Sequence, residues 1–221
     1  MTSRERILAT VQGEAPDQTP VIVYPAGEYH SDAAIVKINR LGNAASSPRA
    51  VLAEILNPFG RALSTGVQLN AVLHASPTEG EKMLADYISE IEREIEFALK
   101  SGADGIFYRL QGAEPKHCTP MQYGGHYLEA DRALLQRAAE ARINVLFLEC
   151  GPDLYFDCLT DLPAQILAWD KDVTRLQVSD IRILRKSALA TADLEADILF
   201  GRNYGLLQPL IRRAAAEEAH V

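Results

Sequence analysis

The most informative segment of the chain reads Asn144-Val145-Leu146-Phe147-Leu148-Glu149-Cys150-Gly151-Pro152-Asp153 and is followed by Gln165-Ile166-Leu167-Ala168-Trp169-Asp170. Both are apolar runs that stop abruptly at polar residues. Only a short crossover around Tyr155-Phe156-Asp157 separates them. A (β/α) barrel presents its chemistry at the C-terminal ends of such strands. The sequence therefore predicts two β-strands and a functional site at the rim where they end.

Apolar periodicity predicts that strands and helices alternate along the rest of the chain. A capping box at Thr2 and Glu5 starts a first helix, which Gly13 can end. Strands are predicted at 20–24, 34–39, 67–74, 105–110, 144–150 and 165–169, with shorter candidates at 188–192 and 198–200. Further helices are predicted from Ser47 to a break at Pro58 and over 79–101, 128–141, 178–186 and 206–219.

This alternation is typical of a parallel sheet covered by helices. We therefore expect an α/β fold, a TIM-type (β/α)8 barrel, formed by a single domain over residues 1–221. Such barrels typically have about 250 residues. A shortened or incompletely closed barrel is therefore the alternative for a chain of 221 residues.

The composition excludes several classes of function. A formal net charge of -8 disfavours sequence-independent binding to nucleic acid or to an anionic membrane, since both need a basic surface. Three cysteines do not suggest a disulfide framework, and no apolar run is long enough for a membrane span. We expect a cytoplasmic protein that acts on small molecules.

Polar residues that follow the predicted strands should converge on one rim of the barrel. They are Glu28, Tyr29, His30, Asn39, His74, Arg109, Gln111, Cys150, Asp153 and Asp170. Arg109 and Gln111 lie just above the rim and are followed by Lys116, so this loop is the best candidate for holding an acidic ligand. The structural alternative for each of these residues is a helix cap or a bond to neighbouring backbone.

Several motifs, in the right order along the chain, resemble the uroporphyrinogen decarboxylase superfamily. Those barrels carry a strand ending in His-x-Cys-Gly with Asp or Asn after it, a Tyr-Phe-Asp-like turn, and a Pro before a strand ending in Trp-Asp. Here Leu148 stands at the position of the His. Three further matching segments are the opening Arg4-Glu5-Arg6-Ile7-Leu8, the strand Gly102-Ala103-Asp104-Gly105-Ile106-Phe107-Tyr108 and the turn Thr119-Pro120-Met121-Gln122-Tyr123.

The resemblance implies a decarboxylase-like carbon–carbon lyase that acts on a tetrapyrrole or a similar acidic small molecule without a cofactor. Such chemistry needs an acceptor for ring N–H groups and basic side chains for the substrate carboxylates. By resemblance, Asp170, Asn39 and Tyr123 would be catalytic. The residues expected to bind the substrate are Arg109, Gln111, Tyr29, His30, His74 and Asp153. Besides Leu148, two further positions differ from the family: Glu28 replaces an Arg, and the uncharged Asn39 replaces an Asp.

A second branch of the superfamily transfers methyl groups between corrinoids and thiols, with a zinc ion held by His-x-Cys and a distant Cys. In this alternative Cys150 would be a zinc ligand and a corrinoid protein would be the partner. Leu148 cannot bind metal, and Glu149 points to the opposite face of a regular strand. The replacement ligands that loops could supply are His117, Cys118, His126 and Cys158.

A third alternative comes from a different class of protein. The chain would be a shortened barrel that binds a ligand or a partner protein without catalysis. A homodimer is an additional expectation for the assembly.

Overall fold

The structure, a computed structural model, describes residues 1–22, 24, 31–42, 44–192 and 206–209. Its strands are β1 (Val21–Ile22), β2 (Ala33–Lys37), β3 (Ala50–Leu56), β4 (Gly105–Leu110), β5 (Val145–Leu148), β6 (Ile166–Asp170), β7 (Ala188–Ala192) and β8 (Leu206–Pro209). Its α-helices are α1 (Ser3–Val11), α2 (Pro58–Ser64), α3 (Leu69–Ala75), α4 (Pro77–Lys100), α5 (Pro120–His126), α6 (Leu128–Arg137), α7 (Phe156–Leu159), α8 (Lys171–Thr174) and α9 (Val178–Leu184). Two 3-10 helices, Ile38–Arg40 and Ala44–Ser46, lie between β2 and β3.

The eight strands are parallel and follow chain order around a closed barrel. The ring closes at β1, where Ile22 pairs with Ala33 of β2 and Val21 pairs with Gln208 of β8. Among the described residues, β1 spans only two positions, so the pairing described on this side of the ring is short. The predicted α/β fold, a TIM-type barrel, is confirmed.

The barrel is shortened in its first two connections. Among the described residues between β1 and β3 there is no α-helix, whereas the connection from β3 to β4 holds α2, α3 and the 24-residue α4. As a result β2 is poorly covered, and Ala34, Ile35 and Val36 are each only half-buried.

Among the helices of the described ranges, none has both the length and the apolarity that a bilayer crossing requires.

Side chains alternate between the inside of the barrel and its helical coat. The side chains that point into the barrel are apolar and mostly small or β-branched, and the two aromatic rings among them lie towards the C-terminal end. They are Ile22, Ala33, Ala50, Leu52, Phe107, Val145, Phe147, Ile166, Ala168, Ala188 and Ala190. The outward set, which includes Tyr108 and Trp169, packs against the helices. Because the period of a strand is two, the next inward residues after Phe107 and Phe147 are Arg109 and Glu149.

Side chains that precede the strands fasten the N-terminal end of the barrel. Asp32 accepts a hydrogen bond from Val21 N at 2.9 Å, and Asp104 accepts one from Val51 N at 2.9 Å. Asn144 does the same for Ile106 N, at 3.1 Å. Each acceptor satisfies a backbone N–H at the start of the preceding strand, which would otherwise be left unpaired. These polar residues stabilise the fold and lie at the opposite end from the expected site.

Three predictions of secondary structure are wrong. Residues 50–56 form β3, not a helix, because this nearly continuous apolar run is buried on both faces of a parallel barrel. Pro58, expected to break a helix, is instead the first residue of α2. Residues 69–75 form α3, not a strand, since Leu69 and Leu73 at helical spacing are its buried positions. Residues 206–209 form β8 where a helix was expected. The strand candidate at 198–200 lies outside the described residues.

Gly105 is a position where the fold requires glycine. A Cβ atom at this residue would lie 1.7 Å from the carbonyl oxygen of Ile143, so the backbone of one strand would have to move. We expect Gly105→Ala to lower the free energy of unfolding by about 1–3 kcal/mol or more. Urea unfolding, followed by the fluorescence of Trp169, the chain's one tryptophan, measures the loss.

Gly124→Ala in α5 is the control, because a Cβ atom there meets nothing within 4 Å. This variant should be neutral or slightly stabilised, as expected for alanine in a helix. If both variants unfolded at the same urea concentration as the parent protein, the close approach at Gly105 would be contradicted.

Candidate functional site

A cavity of about 430 Å3 lies at the C-terminal end of the barrel. Its walls are formed mainly by residues 147–153, which follow β5, and by 114–116, with Tyr24, Asp170 and Val173 completing the lining. Cys150, which follows β5, and Asp170, which ends β6, therefore meet at the same cavity, as a parallel barrel requires. The volume lies within the range of small-molecule sites.

A network of charged side chains occupies the upper interior of the barrel. Arg109 binds Glu149 with two hydrogen bonds, from Nη2 to Oε1 at 2.8 Å and from Nε to Oε2 at 2.9 Å. Its Nη1 donates to Oε1 of Glu54 at 2.7 Å. Gln111 Nε2 donates to Oε2 of Glu149 at 2.9 Å. Burial lowers the pKa of Arg109, but the hydrogen bonds and charge of Glu149 outweigh it, so the pKa is raised overall.

Tyr24 lies between this charged network and the apolar interior. Its hydroxyl donates to Oε1 of Glu54 at 3.0 Å, and the Arg109 guanidinium lies 5.5 Å from the centre of its ring. The same ring packs on Phe107 and Phe147, with centroids 4.8 and 5.8 Å away. Burial raises the pKa of the Tyr24 hydroxyl, which therefore stays protonated as a hydrogen-bond donor.

The lining of the cavity is negatively charged. Among the described residues, Glu114, Glu149, Asp153 and Asp170 line it with one cation, Lys116. Arg109, expected to bind substrate carboxylates, is instead neutralised by two glutamates. The cavity beside the loop expected to hold an acidic ligand therefore presents mainly hydrogen-bond acceptors among its described residues.

Asp170 serves as the N-cap of α8. Its Oδ1 accepts the N–H groups of Asp172 and Val173, both at 3.0 Å, which is the structural alternative foreseen for such a residue. Both bonds end on Oδ1, so among the described residues Oδ2 is left available to a ligand. Asp153 is exposed at the edge of the cavity.

Cys150 lines the cavity but is a buried thiol. Its Sγ is 3.6 Å from the carbonyl oxygen of Leu110, and burial raises its pKa to about 12, with the charge of Glu114 adding to the shift. Zinc binds the thiolate, which this environment disfavours. Within the described ranges, no three His, Cys, Asp or Glu side chains are grouped as a metal site requires.

Two residues expected at the rim lie elsewhere. β2 ends at Lys37, and Asn39 belongs to a 3-10 helix, where it lines a groove against Glu90 and Glu94 of α4. The placement of His74 at a strand end is wrong, because His74 lies exposed in the last turn of α3. Asn39 and His74 are thus outside the cavity. Tyr29 and His30 lie outside the described residues.

Tyr123 is also absent from the cavity. It is completely buried in the helical coat, where its hydroxyl donates to Oδ2 of Asp131. Tyr108 donates to Oδ1 of the same carboxylate at 2.6 Å. Burial raises the pKa of Asp131 to about 6, although the two tyrosine hydroxyls partly offset the shift. The turn 119–123, whose Tyr123 was expected to be catalytic, therefore anchors α5 and α6 to β4.

Glu54 and Glu149 are the site residues that sequence reasoning missed. Glu149 could have been found from alternation, because Phe147 precedes it by two residues and the apolar run continues with Cys150 on the other face. Glu54 lay in a segment predicted to be helical, so its inward direction could not be recognised.

We expect Arg109→Gln to destabilise the protein by about 2–3 kcal/mol, because Glu54 and Glu149 lose their shared cation. The loss is smaller than for a fully buried ion pair, since the Arg109 side chain is partly exposed. Urea unfolding at neutral pH measures the loss. Arg142→Gln, an exposed arginine, is the control and should change stability by less than about 0.5 kcal/mol. Equal stability of the two variants would contradict the network.

Asp131 makes the stability depend on pH. Its carboxyl titrates at a pKa of about 6 in the folded protein but near the ordinary value of 3.8 when unfolded, so stability falls as pH rises between these values. In Asp131→Asn this contribution is absent. Relative to the parent protein, the free energy of unfolding of the variant should rise by about 1.4 kcal/mol per pH unit across this interval.

Urea unfolding across that pH interval tests the prediction. Gly124→Ala, which changes no titratable group, serves as the control and should follow the pH dependence of the parent protein. If Asp131→Asn also ran parallel to the parent protein at every pH, the raised pKa would be refuted.

Comparison with known proteins gives a fold and no family. No protein-family model matches the chain, and no curated protein is similar enough to count as a relative. Among solved structures, a methyltransferase from Methanosarcina mazei is similar with a TM-score of 0.68 and 11% identity, over 89% of this chain and 85% of that one. A candidate lyase/mutase from Burkholderia cenocepacia J2315 has a TM-score of 0.50 and 11% identity, over 97% and 82%. The chain shares its barrel fold with these proteins.

Proposed function

We propose that this chain is a barrel enzyme of the uroporphyrinogen decarboxylase-like type, a carbon–carbon lyase. It would remove CO2 from a pyrrole acetate or a similar acidic small molecule bound above Glu149 and Asp170. The observation that carries the proposal is the convergence of these two carboxylates on one cavity at the C-terminal end of the barrel. The motifs that contain both residues are those that resemble that family.

The two carboxylates suit a ligand that donates N–H groups or develops positive charge. A carboxylate has about four acceptor positions. Arg109 and Gln111 donate hydrogen bonds to three of the acceptor positions of Glu149, which leaves one position for a ligand. Asp170 has its Oδ2 free of the capping bonds. Phe147 and Leu148 form apolar wall beside them, and the resulting low dielectric strengthens hydrogen bonds to charged acceptors.

The proposed reaction consumes one proton and releases one CO2. Protonation of a ring carbon makes the pyrrole cationic, and the bond between the methylene and the carboxylate then breaks. The electron pair of that bond neutralises the ring and leaves an exocyclic methylene. Protonation of the methylene, with loss of the proton first added to the ring, gives a methyl group. Glu149 and Asp170 would stabilise the cationic ring, which is where charge develops.

Asn39 and Tyr123 have no part in this proposal. Asn39 lies against α4, and the Tyr123 hydroxyl donates a hydrogen bond to the buried Asp131. The catalytic set inferred from resemblance is therefore reduced to Asp170, with Glu149 added.

The proposal is tested by incubating the protein separately with uroporphyrinogen and with a monopyrrole acetate, and by following loss of CO2 by mass spectrometry. We expect conversion of at least one substrate above the control without protein. Asp170→Asn should slow it about a hundredfold, because a neutral amide stabilises the cationic ring less well. Asparagine keeps the N-cap of α8, so the fold should survive.

Asp86→Asn, which removes an exposed carboxylate on α4, is the control and should leave the rate unchanged. Equal rates for Asp170→Asn and the parent protein would remove Asp170 from the mechanism. Binding of either pyrrole in a thermal-shift assay without conversion would favour a barrel that binds ligands without catalysis.

Methyl transfer at zinc has less support from the described residues. Cys150 is a protonated buried thiol, and Leu148 on the same face packs in the helical coat. The fold shared with a methyltransferase does not by itself favour that chemistry.

A further inference from the structure

A second cavity, of about 440 Å3, lies beside the first and shares Tyr24 with it. The charges of the two cavities are opposite. Lys37, Arg40 and Arg109 line the second cavity with one carboxylate, Glu54. The first cavity has an excess of carboxylates among its described residues. Among the described residues, the barrel mouth therefore has an acidic and a basic half, and Tyr24 lines both.

Lys37 and Arg40 supply cations that have no carboxylate partner among the described residues. Lys37 ends β2 and follows Ile35 on the face directed to the barrel interior. It is paired in register with Glu54 of β3, yet no ion pair joins the two side chains. Arg40 ends the adjacent 3-10 helix and is exposed. Both charges are therefore available to a ligand.

Arg109 contributes differently to this cavity. Its guanidinium is bound by Glu149 and Glu54, so it adds little net attraction for an anion. Glu54 repels an anion and is held in place by hydrogen bonds from Tyr24 and Arg109. Direct contacts to a ligand would thus come from Lys37 and Arg40, with Glu54 limiting the affinity.

We propose that the second cavity binds an anionic group, a carboxylate or a phosphate, through Lys37 and Arg40. This inference goes beyond the proposed reaction, because the basic cavity binds an anion whether or not the acidic one catalyses. Since the two cavities share Tyr24, the anionic group is held next to the proposed reaction site. It also explains how a protein whose first cavity is acidic accommodates an acidic ligand.

The test measures binding of inorganic phosphate and, separately, of succinate by isothermal titration calorimetry at low ionic strength. The double variant Lys37→Gln/Arg40→Gln should bind about tenfold or more weakly, because it loses two charge-assisted hydrogen bonds. The control Arg49→Gln/Lys82→Gln removes the same two residue types from exposed positions elsewhere, and should weaken binding less than about twofold, through long-range charge alone. Circular dichroism and thermal unfolding verify that both variants are folded.

Glu54→Gln gives the opposite expectation. The amide oxygen can still accept from Tyr24 and Arg109, while the negative charge is lost, so anion affinity should rise about threefold or more. A purely structural role of Lys37 and Arg40 would not produce this increase.

The outcomes decide as follows. Phosphate binding alone or succinate binding alone, with the expected response of the variants, supports the proposal and identifies the anion. If the parent protein binds neither phosphate nor succinate, the proposal is wrong. The proposal is also wrong if the two double variants lose anion affinity equally, or if Glu54→Gln binds the anion no more tightly than the parent protein does. Because no turnover is measured, failure of the decarboxylation assay leaves this result unaffected.

Discussion

Arg109 lies between Glu54 and Glu149 inside a closed barrel, and the organisation of the site depends on this arrangement. Closure of the parallel sheet directs alternate residues of β3, β4 and β5 to one interior, so residues distant in sequence share one low-dielectric space. There, two carboxylates need a common cation, and the bidentate bond to Glu149 with the single bond to Glu54 provides it. The shared arginine also makes the two halves of the barrel mouth electrostatically dependent on each other.

Tyr24 lines both of these halves of the barrel mouth. Its ring rests on Phe107 and Phe147, and its hydroxyl is bound to Glu54. One side is lined by Glu149 and further carboxylates, the other by Arg109 together with Lys37 and Arg40, and these last two have no carboxylate partner among the described residues. A ligand with both N–H donors and an anionic group would match this division. That match links the proposed lyase chemistry with the proposed anion site.

The same residue types have different tasks at the two ends of the barrel. Asp32, Asp104 and Asn144 are engaged by backbone N–H groups at the N-terminal end, so they stabilise strand starts. Asp170 at the C-terminal end caps α8 with one oxygen only. The difference agrees with the general division of barrels into a stabilising end and a functional end. Residue type alone does not distinguish a structural carboxylate from a functional one.

The strands at 105–110, 144–150 and 165–169 were predictable because a long amphipathic helix or a clear turn flanks each apolar run. The segment 50–56 was not, since a run of seven residues buried on both faces satisfies helical and strand patterns alike. That error concealed Glu54. Tyr123 was assigned to the site from a motif, but its burial against Asp131 depends on how α5 and α6 pack on β4.

The sequence by itself determined the parallel α/β barrel and the rim position of Cys150, Asp153 and Asp170, because periodicity and the point where an apolar run ends are local properties. Only the tertiary structure decided which rim residues meet and which are already engaged by others. It paired Arg109 with two glutamates, placed Asn39 against α4 and buried the Cys150 thiol. The physical reason is that pairing, burial and charge depend on the neighbours each side chain acquires when the ring closes, and most of those neighbours are distant in the chain.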